Sequence, residues 1–108
     1  MTNIYIDRDN YEIRIEGHSN GKRNTKGNDL VCCAVSTLTC ALANGFMEYE
    51  QKGMLADKPQ LCVGVAKSRL CAKPKESYVK EVSAGYGLIV RAFEALANTY
   101  PDNIKIIK

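Results

Sequence analysis

Two different periods of apolar residues alternate along this chain, and their order restricts the folds that it can form. A period of two predicts half-buried strands, whereas a spacing of three or four residues predicts amphipathic helices. The strand-like pattern covers residues 2–17, 60–72 and 104–107, and the helical pattern covers residues 30–51 and 79–100. Locally paired strands separated by two long helices favour an α+β fold, in which two helices pack on an antiparallel sheet.

The length of the chain favours a single domain that covers residues 1–108. A chain of 108 residues can build one hydrophobic core, and 45% apolar with 25% charged residues is an ordinary globular composition. Within the second helical segment, Gly85 and Gly87 either permit the close approach of another backbone or weaken the helix locally.

The N-terminal residues and the cysteine count predict a cytoplasmic location. The first residues lack the basic start and the apolar stretch of a signal peptide, and we expect no apolar run of the roughly 20 residues that span a membrane. Five cysteines, an odd number, fit free thiols in a reducing compartment. The net charge of +3 is mild, so we expect neither a membrane nor a nucleic acid as the primary partner.

The cysteine spacing argues against a metal site. Structural zinc sites usually draw ligands from close pairs such as Cys-x-x-Cys, and the five cysteines form no such pair. We therefore expect no metal and no cofactor. We also expect Cys40, Cys62 and Cys71 to be small buried apolar side chains.

One histidine and one pair of thiols suggest a cysteine nucleophile. His18 follows the first strand pair, and Cys32 and Cys33 follow a polar, glycine-bearing segment. An imidazole can remove the proton of a thiol and stabilise the thiolate. If Asn28 or Asp29 caps the first helix, Cys32 lies in the first turn, where free backbone N–H groups favour an anion and can hold an oxyanion.

Two further polar residues have open roles. Ser36 lies one helical turn beyond Cys32, so its hydroxyl either orients the cysteine or a substrate carbonyl, or bonds to its own helix backbone. Asp29 is either a cap alone or the group that orients His18. Cys33 points about 100° away from Cys32 around a helix, so both thiols cannot face one cleft.

Residues 17–19 (Gly-His-Ser) and residues 27–36 (Gly-Asn-Asp-Leu-Val-Cys-Cys-Ala-Val-Ser) closely resemble the ribosomal-processing cysteine proteases of the Prp family. The family pattern reads Gly-His-Ala, a glycine-rich loop, and then Gly-x-Asp-Ile-Val-Cys-Ala-Ala-x-Ser. The resemblance extends to the length and to the order of elements. Three departures are Cys33 in place of alanine, Ser19 in place of alanine, and a slightly longer loop.

The resemblance implies a cytoplasmic, homodimeric α+β peptidase. Such an enzyme removes a short N-terminal extension from a large-subunit ribosomal protein, cutting after two aromatic residues; phage relatives process capsid or scaffold proteins. The implied roles are His18 as base, Cys32 as nucleophile, Asp29 and Ser36 as supporting residues, and Gly17, Gly21 and Gly27 in a mobile loop. The alternative is a non-enzymatic adaptor of the same fold that binds a ribosomal or phage protein.

Overall fold

A computed structural model describes residues 1–17 and 26–108, with the backbone alone for residues 26–29. Within these residues, five strands and two long helices follow one another. They are β1 (Thr2–Asp7), β2 (Glu12–Glu16), α1 (Lys26–Gln51), β3 (Gln60–Val63), β4 (Lys67–Cys71), α2 (Val79–Thr99) and β5 (Ile104–Ile107), with a short 3-10 helix (Glu76–Tyr78) before α2. The α+β class and the packing of two helices on one sheet are confirmed.

The five strands form one sheet in the order β3-β4-β2-β1-β5. β1 and β2 form the predicted antiparallel hairpin, in which Ile4 lies opposite Ile15 and Ile6 opposite Ile13. β5 pairs with β1 in parallel, so the sheet is mixed rather than wholly antiparallel. This difference arises because α2 carries the chain across the sheet from β4 to its far edge, and a helical crossover returns a strand in the same direction.

One face of the sheet forms the core with the two helices. The alternation along β1, β2 and β4 directs every second side chain towards the helices, which cover them. Phe46 of α1 and Phe93 of α2 are fully buried there, and each contributes about 1.5–3 kcal/mol by leaving water. The sheet supplies Ile4, Ile6, Ile13, Ile15, Leu70 and Ile104 to this core, and the helices supply Val31, Val35, Leu42, Val82, Tyr86 and Val90.

The helices approach each other where a glycine makes room for a tyrosine. A Cβ atom at Gly85 of α2 would lie 2.1 Å from the hydroxyl oxygen of Tyr49 on α1. At Gly87, a Cβ atom would meet nothing within 4 Å. The close approach expected at Gly85 is therefore made by a side chain and not by a backbone, and Gly87 makes no such approach.

α1 corrects the expectation that no apolar segment is long enough to cross a membrane. By length and composition alone, the segment Leu30–Gln51 is long enough and apolar enough to cross a membrane. One such helix is weak evidence for a membrane segment, because the core helix of a soluble protein passes the same test. One side of α1 packs on the sheet through Val31, Leu42 and Phe46.

The thiols expected in the core are not buried. Cys40 and Cys62 are exposed, and Cys71 is half-buried. Cys62 and Cys71 lie on β3 and β4 at positions that face away from the helices, since Cys62 pairs with Arg69 and Cys71 with Gln60. The prediction was wrong because an isolated cysteine carries no periodic signal that tells the buried face of a helix or strand from its exposed face.

Candidate active site

A cleft of about 530 Å³ opens between α1 and the turn that joins β3 to β4. It lies at the end of the sheet where β1 begins, β2 ends and β4 begins, because these three neighbouring strands alternate in direction. Its walls include Gly17, Cys32, Ser36, Gly64, Val65 and Ala66. Residues from both halves of the 17–36 motif therefore line the same cleft.

Two predicted site residues reach this cleft from α1. Cys32 is half-buried, Ser36 is exposed, and the four-residue spacing places both on one face of the helix. Cys33 is exposed, and it lies about 100° further around the helix than Cys32. Of the two adjacent thiols, Cys32 is therefore the one that lines the cleft; Cys40, about two helical turns further along α1, lines it as well.

The start of α1 differs from the prediction and changes the surroundings of Cys32. α1 begins at Lys26, so Cys32 is its seventh residue and lies about 9 Å along the axis from the first. The backbone N–H groups this far into a helix bond to carbonyls four residues back, and the field of the helix end falls off within one turn. Free first-turn N–H groups are therefore not available beside Cys32 to hold an oxyanion.

The start of α1 at Lys26 also changes the positions of Asp29 and Gly27. Both lie inside α1, so neither Asn28 nor Asp29 occupies the capping position, and Gly27 is helical instead of part of the loop. The apolar pattern missed this first turn because its residues are polar, and periodicity marks a helix only where it buries a face. The side chain of Asp29 lies outside the described part of the structure, as do His18 and Gly21 entirely.

Gly17 has a backbone conformation that favours glycine. Its φ is +82°, and a Cβ atom there would lie 2.7 Å from the carbonyl oxygen of Met1. Its N–H donates a hydrogen bond to the carbonyl oxygen of Ala66, at 2.9 Å. The glycine before His18 thus extends the pairing of β2 with β4 by one residue, as far as the β3–β4 turn.

The β3–β4 turn is a part of the site that the sequence patterns did not reveal. Ser68 is buried, and its hydroxyl accepts a hydrogen bond from the N–H of Gly64 at 3.2 Å and donates one to the Gly64 carbonyl at 3.4 Å. The available signal was an apolar residue, Val65, within the turn segment Gly-Val-Ala. A single exposed apolar residue is ordinary on a protein surface, so this signal alone would not have identified the turn as part of the site.

Cys62 and Cys71 do not line the cleft that Cys32 and Cys40 share. Partial burial raises the pKa of the Cys71 thiol, although Arg69 acts in the opposite direction. A thiol with a raised pKa is less often ionised, and the thiolate is the nucleophile. Cys71 and Cys62 lie on the sheet face away from the helices, on the opposite side from the cleft.

A larger concavity, of about 770 Å³, lies on that open face of the sheet and has a different character. Arg69 there bonds to Glu12, and Arg14 lies 4.2 Å from the centre of the Tyr5 ring while its Nε is 3.4 Å from a carboxylate oxygen of Glu16. These charged groups neutralise one another at the surface. Cys32 and Ser36 do not line this concavity, so we assign the site to the smaller cleft.

Comparison with known proteins identifies a family for this chain. A family model described as cysteine protease Prp matches residues 1–105. None of the curated proteins matches the chain in sequence.

Solved structures show the same fold at low sequence identity. The essential ribosomal processing protease Prp from S. aureus, with a covalently linked product peptide, has a TM-score of 0.68 and 13% identity over 98% of this chain and 95% of that one. The same protease with a substrate peptide has a TM-score of 0.60 and 12% identity, over 98% and 97%. SMU.848 from Streptococcus mutans has a TM-score of 0.66 and 16% identity, over 98% and 90%.

The family match spans nearly the whole chain, including both halves of the motif and every strand and helix that forms the cleft. A half-buried cysteine in that cleft is the chemical group that such an enzyme requires. The chain belongs to the Prp family of cysteine proteases.

Proposed function

We propose that the chain is an endopeptidase that uses Cys32 as nucleophile and His18 as base, and removes a short N-terminal extension from a large-subunit ribosomal protein. The main support for this proposal is that Cys32 and Gly17 line the same cleft. His18 directly follows Gly17 in the sequence, and the family resemblance implies it as the base. Cys32 is also the one of the two adjacent thiols that faces the cleft.

Hydrolysis then proceeds through a thioester. His18 takes the proton of Cys32, the thiolate forms a C–S bond with the scissile carbonyl carbon, and the C–N bond breaks as the imidazolium protonates the leaving amine. Water then attacks the thioester while His18 accepts its proton. The C–S bond breaks, the carboxylic acid leaves, and the thiol recovers its proton.

Ser36 takes the role that the helix start was expected to fill. Its hydroxyl is exposed in the cleft one turn from Cys32, so it can donate a hydrogen bond to the carbonyl oxygen that becomes negatively charged. The loss of one such donor costs on the order of 10²-fold in kcat. Ser36→Ala should therefore lower kcat without slowing the alkylation of Cys32; an unchanged kcat would remove Ser36 from the mechanism.

The ribosomal substrate is supported by the family and by the solved relative. The S. aureus protein of the same fold is a ribosomal processing protease, and its structures hold substrate and product peptides. A phage capsid or scaffold protein is the second candidate substrate for this family.

Peptide cleavage tests the nucleophile and the substrate together. The parent protein is incubated with a peptide that carries the ribosomal extension and with one that carries a phage capsid processing site. We expect cleavage of the ribosomal peptide, its loss in Cys32→Ala, and its retention in the matched variant Cys33→Ala. Cleavage by Cys32→Ala at the parent rate would refute the mechanism, and a preference for the phage peptide would refute the ribosomal assignment.

We also propose that the enzyme is a cytoplasmic homodimer, as the family resemblance implies. Light scattering after size-exclusion chromatography should then give twice the 12.0 kDa of one chain. A mass of one chain across the concentration range would contradict the dimer. Fluorescence microscopy of a tagged chain should show a diffuse signal, whereas a membrane rim would contradict the location.

A further inference from the structure

The strand β3 lies at an edge of the sheet and ends at the cleft that contains Cys32. Its position in the sheet order gives it β4 as its one neighbour among the described strands. The last residue of β3, Val63, and the next residue, Gly64, line the cleft together with Cys32. The open edge of the sheet is therefore continuous with one wall of the cleft.

The pairing of the sheet determines which backbone groups of β3 point outward. Along a strand between two antiparallel neighbours, successive residues bond to one neighbour and then to the other. Gly17 donates its N–H to the carbonyl of Ala66, directly before β4, so the even-numbered residues of β4 bond to β2 and the odd-numbered residues bond to β3. The odd-numbered residues of β4 lie opposite the even-numbered residues of β3. Leu61 and Val63 therefore direct their N–H and C=O groups to the open edge.

These outward groups are available to a further strand. Leu61 and Val63 make no other backbone hydrogen bond to a residue that the structure describes, and Val63 is 52% exposed. Proteins usually protect a sheet edge with charged side chains, lysine above all, because an open edge can pair with another chain. The opposite edge, β5, carries Lys105 and is followed by Lys108, whereas residues 60–66 are all uncharged. The edge beside the cleft thus lacks the protection that the other edge has.

We propose that the substrate binds as an added strand along β3, through the backbone groups of Leu61 and Val63. The inference rests on the proposed function, in which an extended peptide crosses the cleft at Cys32. In either orientation, alternate residues of an added strand direct their N–H and C=O groups towards β3, and the residues between them point away. Such contacts recognise an extended backbone. A terminal extension without regular structure can adopt this shape, whereas a folded segment of the same substrate cannot.

A scan of methylated peptide backbones tests the added strand without altering the enzyme. Each analogue of the cleaved peptide carries one N-methyl group, which removes one N–H, at successive positions on both sides of the scissile bond. We expect kcat/KM to fall about tenfold at alternate positions on one side, because each loses a hydrogen bond to β3. The positions between them carry the same modification and are the matched controls. No alternation, with cleavage still abolished in Cys32→Ala, would overturn the added strand alone, whereas cleavage that persists in Cys32→Ala would overturn the proposed function.

Two substitutions at Val63 test the same contact from the enzyme. Val63→Pro removes an N–H that points to the open edge, where proline is tolerated, whereas Val63→Ala shortens the side chain and keeps the N–H. Val63→Pro should lower kcat/KM about tenfold more than Val63→Ala, without slowing the alkylation of Cys32. Equal kcat/KM in the two folded variants would contradict the proposal. If Val63→Pro fails to fold, the peptide scan decides.

Light scattering separates the substrate from a second copy of the chain as the occupant of this edge. Val63→Pro should leave the mass of the protein unchanged. A change from dimer to monomer in Val63→Pro, together with a peptide scan that shows no alternation, would assign the edge to a second copy and overturn the proposal.

Discussion

At the scale of single residues, Gly17 connects backbone geometry to the site. Gly17→Ala places a Cβ atom 2.7 Å from the Met1 carbonyl oxygen at a φ of +82°. Strain of this kind costs about 1–3 kcal/mol, so we expect the free energy of unfolding to fall by that amount. Peptide cleavage should fall as well, because Gly17 holds the β3–β4 turn through Ala66. Urea denaturation and kcat/KM measure the two effects.

Gly45→Ala is the matched control for this substitution. Gly45 lies inside α1, and a Cβ atom there would meet nothing within 4 Å. Alanine at a helical position without strain should stabilise the protein by about 0.5–1 kcal/mol and leave cleavage unchanged. Equal stability changes in the two variants would show that the conformation of Gly17 is not a constraint.

The buried hydroxyl of Tyr86 makes the stability of the folded protein depend on pH. Its hydroxyl donates to the Glu12 carbonyl at 2.7 Å, and it lies 3.2 Å from the Asp7 carbonyl, so it spans both sides of the first hairpin turn. Burial raises the pKa of Tyr86. The pKa of Tyr86 is therefore higher in the folded chain than its value of about 10 in the unfolded chain. The stability that this group contributes is fully present below about pH 10, and it is lost as the pH rises above that value.

Tyr86→Phe should therefore lower the free energy of unfolding by about 1–2 kcal/mol near neutral pH. The difference between the parent and Tyr86→Phe should shrink above about pH 10, since only the parent must bury a group that ionises in the unfolded chain. Urea unfolding at several pH values measures this. A difference that stays constant into alkaline pH would contradict the assigned role.

The sequence predicted part of the site at this scale. Gly17, Cys32 and Ser36 line one cleft, because the motif residues flank the junction between β2 and α1. Of the two roles left open for Asp29, the cap does not hold, because α1 begins at Lys26; the periodic pattern missed this polar first turn because it adds no apolar residue. The β3–β4 turn, which lines the same cleft, was missed because it is distant in sequence from the motif and adjacent to it only after folding.

At the scale of elements, the contact between α1 and α2 depends on Gly85, which has no side chain to occupy the space that Tyr49 fills. A Cβ atom at Gly85 would lie 2.1 Å from the Tyr49 hydroxyl oxygen, whereas one at Gly87 would meet nothing. Gly87→Ala should stabilise the protein by about 0.5–1 kcal/mol through helix propensity, and Gly85→Ala should destabilise it because the Tyr49 ring must shift. Thermal unfolding of both variants measures the difference.

Tyr49→Phe provides the test of this explanation. Removing the Tyr49 hydroxyl removes the atom that lies 2.1 Å from the new methyl group, so Gly85→Ala should cost less in the Tyr49→Phe background. If Gly85→Ala and Gly87→Ala change stability equally in the parent, the tyrosine contact does not set the packing of the helices.

The elements themselves were largely predictable, because each buries one face. The helix expected over residues 79–100 is Val79–Thr99, and the pattern over residues 60–72 resolves into β3 and β4. The partner of β5 was not predictable in the same way. Periodicity gives the buried face of a strand, whereas pairing with β1 depends on the path of α2 across the sheet.

At the scale of the whole molecule, the two faces of the sheet have different roles. One face forms the core with α1 and α2, and the open face carries paired charges such as Arg69 with Glu12. The cleft lies at one end of the helix-covered layer, where a long helix and a short turn meet. The packed sheet and helices thus support a cleft at one end of the fold. Binding and catalytic residues commonly lie in such positions, on segments held by a rigid scaffold.

The central claim is that Cys32 forms a covalent acyl intermediate in this cleft. Mass spectrometry of the protein, quenched with acid during turnover of a slowly hydrolysed peptide ester, measures this most directly. Fragmentation of the peptide that contains both Cys32 and Cys33 locates the added mass. The account predicts an acyl group on Cys32 in the parent and in Cys33→Ala; an acyl group on Cys33, or full turnover by Cys32→Ala with no adduct, would contradict it.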